Sequence, residues 1–115
     1  MSERGDVPAL KDIVEAIDRV QRYIGTMGLS EFLENTEKQD AVARNLGVIG
    51  EAVKKISPEF RRKHSEIEWT QMAGFRDKLV HDYYGVNLKI LWDVILEKLP
   101  GLKDQVTKLL DEVAD

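Results

Sequence analysis

Apolar residues recur in this chain at steps of three and four almost from end to end, and no stretch shows the period of two that a strand needs. Leu10, Ile13, Val14, Ile17, Val20 and Ile24 form one series. Val42, Leu46, Ile49, Val53 and Ile56 form a second, and Leu102, Val106, Leu109, Leu110 and Val113 a third. Stripes of this kind are buried by packing helix on helix. The pattern predicts an all-α up-down bundle of four to six helices with short connections, one domain over residues 1–115. It admits no internal repeat and no low-complexity linker.

Local signals place the elements. Asp6 with Pro8 opens the first helix, and Gly25 and Gly28 close it. A short segment, Ser30 to Asn35, follows. Thr36 is expected to cap the next helix, with Gln39 completing a capping box. That helix carries a second stripe of Ala43, Gly47 and Gly50, which suggests a closely approaching backbone, within the domain or from a second copy. Ser57-Pro58 ends it and starts a basic turn from Glu59 to His64. A further helix runs from about Trp69 to Tyr83, where Gly85 breaks it and Asn87 caps its successor. Leu88 to Leu99 is apolar on more than one face and is expected to be the most buried element. Pro100-Gly101 is expected to bend the chain into the last helix.

Composition narrows the function. With 43% hydrophobic residues the chain is not a disordered tail. It has no cysteine, hence no disulfide, thiolate metal site or Cys nucleophile, and only two histidines, His64 and His81, which disfavours structural zinc. No apolar run approaches the ~20 residues of a membrane span, and the N-terminus lacks a signal-peptide core. A soluble cytoplasmic domain is expected. A core of this size also gains from burial in a dimer. The net charge of −4 argues against a bulk electrostatic nucleic-acid binder, but it is unevenly spread. Residues 54–64 hold five bases (Lys54, Lys55, Arg61, Arg62 and Lys63) against one acid, Glu59. Arg61, Arg62 and His64 there read either as RNA-phosphate contacts or as a solvated connector. Trp69 and Trp92 can stack bases, but their helical spacing among aliphatics favours core positions.

The segment that looks like chemistry is GFRDKLVHDYYG, residues 74–85. Asp77, His81 and Tyr84 share one helix face by steps of four and three, and Arg76 shares another with Tyr83. On a regular helix His81 lies about 140° around from Arg76. One copy therefore aims the two poorly at a common atom, whereas a two-fold dimer can gather two of each around one cleft. Metal-free phosphodiester cleavage suits these groups. Histidine moves a proton to or from RNA oxygens near neutral pH. Arginine clamps a phosphate and stabilises its developing charge. Taken alone, the same residues also fit a surface salt-bridge cluster.

The segment Arg76-Asp-Lys-Leu-Val-His81-Asp-Tyr83 resembles the signature of the HepT-like branch of the HEPN domains: Arg, four residues, His, one residue, Tyr. Its frame agrees too, through Arg44–Ile56, Ile67-Glu-Trp69, Gly74-Phe75, Tyr83-Tyr84-Gly85-Val86, Trp92 and Leu99-Pro100. The resemblance covers roughly residues 10–110 and implies a HEPN-type bundle acting as a homodimer. It implies the toxin of a prokaryotic type VII toxin–antitoxin pair, an RNase without cofactor or metal. The partner implied is an MntA-like nucleotidyltransferase antitoxin that transfers AMP to the motif tyrosine. By position, Arg76 and His81 would be catalytic, with Asp77 supporting; many members carry Asn in its place. Tyr83 would accept AMP, with Tyr84 a neighbouring hydroxyl. Lys78, Tyr84, Arg61 and Arg62 are the candidate substrate contacts. The alternative reading is a non-catalytic nucleotide- or substrate-binding subunit of the nucleotidyltransferase.

Overall fold

A computed structural model describes the backbone of residues 3–82 and 87–113, and the side chains of these except residues 3, 4 and 76–82. After a short 3₁₀ turn, Glu3–Asp6, come α1 (Val7–Ile24), α2 (Leu29–Glu34), α3 (Thr36–Lys55), α4 (Pro58–Lys63) and α5 (Trp69–Asp82). Then α6 (Leu88–Asp93) runs through a π-helical turn, Val94–Lys98, directly into α7 (Leu99–Val113). Taking α6 and α7 as one rod, the described residues make an all-α bundle of four long helices and two short ones. There is no strand among the described residues.

The sequence stripes are the core. Leu10, Ile13, Ile17 and Val20 of α1 are fully buried, with Val42, Ile49 and Val53 of α3 and Val106 of α7. α1 packs on α3 and α7, and α3 packs on α5. Trp92 is buried and meets Phe32 of α2 at a ring separation of 5.2 Å.

Several local expectations are corrected. Asn35, not Thr36, caps α3: its side chain accepts from the Lys38 N–H at 3.0 Å. Gln39 makes no capping box and donates instead to the Phe32 and Leu33 carbonyls at the end of α2. Asp6 occupies the N-cap position of α1 but makes no side-chain cap there. Its buried carboxylate accepts from Ser57 N–H at 2.8 Å and from Ser57 Oγ at 3.1 Å. Ser57 in turn caps α4, its Oγ accepting from Phe60 N–H at 3.2 Å. The start of α1 is thus tied to the chain leaving α3.

A Cβ on Gly47 would meet nothing within 4 Å among the described residues, so none of their backbone presses on it. The segment Leu88–Leu99 is not the most buried: Leu91, Trp92, Ile95 and Leu99 face inward, but Ile90 and Leu96 are 50% and 53% exposed. Nor does Pro100 end the helix. Leu99 N–H reaches back five residues to the Val94 carbonyl. This wider turn shifts the hydrogen-bond register just before the proline, which has no N–H to donate, and so lets the helix run on.

Candidate active site

The motif is carried by α5, and the first turn of α5 is firmly seated. Trp69 is buried, donates from Nε1 to the His64 carbonyl at 2.9 Å and meets Phe60 edge-on at 6.3 Å. Met72, one turn later, is fully buried. Both tryptophans therefore serve packing and are not open for base stacking. His64 belongs to the same connector: its ring lies 4.4 Å from that of Phe60, and its Nδ1 stands 3.8 Å from Glu66.

Beyond that first turn, helical register places the motif. Arg76, Asp77, Lys78 and His81 are backbone positions of α5; their side chains lie outside the described residues. Seven residues make nearly two turns, so Arg76 lies on the helix line of buried Trp69, and Lys78 on that of exposed Gln71. Asp77 and His81 continue the line of exposed Thr70. α5 thus carries the backbone of Arg76, Asp77, Lys78 and His81, with Arg76 and His81 on different helix lines. Tyr83 and Tyr84 lie outside the described residues.

The basic segment forms a helix rather than a turn. Phe60 is its buried anchor, Arg61 is half-buried and Arg62 is exposed. Arg61 Nε is buried without a hydrogen-bond acceptor among the described residues. Both arginines line an open groove of about 710 Å³ between α4 and the start of α5, which Ser65, Glu68, Thr70 and Gln71 also border. His81 lies twelve residues beyond Trp69, about 18 Å along the helix. The groove therefore opens at the other end of α5 from the backbone position of His81. Sequence reasoning missed Ser65, Thr70 and Gln71. Only Thr70 and Gln71 carried a signal, their register with Asp77, His81 and Lys78. Among the described residues no group of three His, Asp or Glu side chains is placed to hold a metal ion, and no helix is long and apolar enough to cross a membrane.

Comparison with known proteins gives this geometry a context. Residues 13–109 match the family described as "Ribonuclease HepT-like". The chain is 43% identical over 100 residues to "Probable ribonuclease HepT" of Thermococcus cleftensis, covering 87% of this chain and 91% of that protein. It is 38% identical over 105 residues to "Putative RNase TTE0752" of Caldanaerobacter subterraneus subsp. tengcongensis, covering 91% and 94%. With "Putative RNase MJ0125" of Methanocaldococcus jannaschii the identity is 35% over 115 residues, covering 100% and 99%. No solved structure matches.

Proposed function

The chain belongs to the HepT-like ribonuclease family, and from that membership we propose that it is a metal-independent endoribonuclease, the toxin of a type VII toxin–antitoxin pair acting in the cytoplasm. The observation that carries the reading is the Arg76–His81–Tyr83 motif within a family match that spans nearly the whole chain.

In this reading the RNA 2′-hydroxyl attacks the adjacent phosphorus and the 5′-oxygen leaves. His81 takes the proton from the nucleophile or supplies one to the leaving oxygen. Arg76 binds the phosphate oxygens and stabilises the charge that grows on them. Asp77 orients its neighbours. Because Arg76 and His81 lie on different lines of α5, a homodimer that faces two copies of the helix supplies both groups to one phosphate. An MntA-like nucleotidyltransferase adds AMP to Tyr83, with Tyr84 beside it. The added phosphodiester pairs with Arg76 where an RNA phosphate would sit.

Arg76→Ala and His81→Ala are each expected to lower RNA cleavage about 10²-fold or more while the helical circular dichroism persists. Intact-mass spectrometry after co-expression with the antitoxin should show AMP increments that Tyr83→Phe removes. Unmodified protein that leaves RNA intact overturns the nuclease reading.

A further inference from the structure

We propose that the groove between α4 and the start of α5 is a second phosphate subsite for single-stranded RNA, holding the strand a few nucleotides from the bond that is cut. This deepens the nuclease reading and rests on it for which bond is cut, not for whether the groove holds RNA.

The two walls differ in chemistry. Arg61 and Arg62 supply charge from α4, while Ser65, Thr70 and Gln71 supply neutral hydrogen-bonding groups from the connector and α5. Phosphate oxygens take both kinds of partner. Arg61 Nε is a buried donor with no acceptor among the described residues, and an anion against that guanidinium would lower the cost of burying it. Glu68 on the rim offsets part of the positive charge, so the groove is not a general anion sink. Trp69 beneath it is buried, which leaves backbone contacts rather than base stacking and predicts little sequence preference.

Register joins the groove to the motif. Thr70 lies on the helix line of Asp77 and His81, and Gln71 on that of Lys78. A strand following this face from Thr70 to His81 runs about 16 Å. At ~3.4 Å per stacked nucleotide that is about five nucleotides, and fewer if the strand is extended. A trinucleotide at the motif falls short of the groove under stacking, whereas a dodecanucleotide reaches it.

The test uses the full chain, unmodified, and fluorescent 2′-O-methyl RNA. That RNA lacks the nucleophilic hydroxyl and is bound without being cut. Anisotropy should show the 12-mer bound at least tenfold tighter than the 3-mer. Arg62→Gln, and independently Thr70→Glu on the opposite wall, should each shrink this length advantage threefold or more. Arg62→Gln should also flatten the salt slope by about 0.7 for a single strand. Arg22→Gln, an exposed arginine on the last turn of α1, is the charge-matched control and should leave the advantage in place. Equal affinity for both lengths, or an advantage that survives both groove substitutions in folded protein, overturns the subsite. Cleavage of ordinary RNA by the parent protein is followed in parallel. If no RNA is cut, the nuclease reading fails, and the binding data still decide the groove.

Discussion

Gly47 separates what a side-chain pattern implies from what a neighbouring backbone does. Its step from Ala43 and Gly50 suggests a tight seam, and Ala43 and Gly50 are indeed buried. Yet an added Cβ at Gly47 meets nothing within 4 Å. Glycine there carries its usual helix penalty without a steric reason among the described residues. Gly47→Ala is expected to raise the unfolding free energy by about 0.5–1 kcal/mol in urea titrations. Loss of stability, or dissociation of an oligomer, would show instead that a second copy of the chain presses on this face. Arg76 and His81 were legible as candidates from their types and spacing alone, because helix geometry turns a five-residue step into a known angle. That the first turn of α5 is anchored by buried Trp69 and Met72 became legible only in the structure.

At the level of elements, the long helices follow from the sequence because each carries several turns of apolar repeat. α2 and α4 span six residues each, too few for a period to emerge, and so read as connecting segments. α4 matters most, since its arginines form one wall of the groove. It is set in place by the chain of hydrogen bonds from Asp6 to Ser57 and from Ser57 to Phe60. Asp6→Ala is expected to cost about 1–3 kcal/mol by leaving Ser57 without its buried acceptor. Ser57→Ala should cost about 1 kcal/mol or more through the lost cap. The double variant should fall short of additivity by about 0.5–3 kcal/mol, measured by chemical denaturation, because both substitutions break one network. Additive costs would mean that the two groups act apart. The α6–α7 rod makes a related point. Pro100-Gly101 suggests a bend between two helices, but a π turn carries the chain into α7 without a break, and that register shift becomes visible only in the hydrogen bond from Leu99 to Val94.

For the whole molecule, the charge of −4 sets how RNA can be held. An acidic protein retains RNA through a few local cations, and Arg61, Arg62, Arg76 and Lys78 all belong to α4 or α5. Four phosphate contacts on a single strand give a slope of log affinity against log salt of about −3. Affinity titrations of the 12-mer between 50 and 200 mM salt (about a fourfold range) check this. A slope near −10 would reveal a broad basic surface instead. By itself the sequence determined the helical class, the stripes that became the core and the order of motif residues along one helix. These depend on backbone period and side-chain polarity, which act over one or two turns. Only the tertiary structure decided that Ile90 and Leu96 face outward, that nothing among the described residues meets a Cβ on Gly47 and that Arg62 stands across a groove from Thr70. Such facts depend on how helices settle against each other, bringing together residues as distant in the chain as Asp6 and Ser57, and no local pattern encodes that approach.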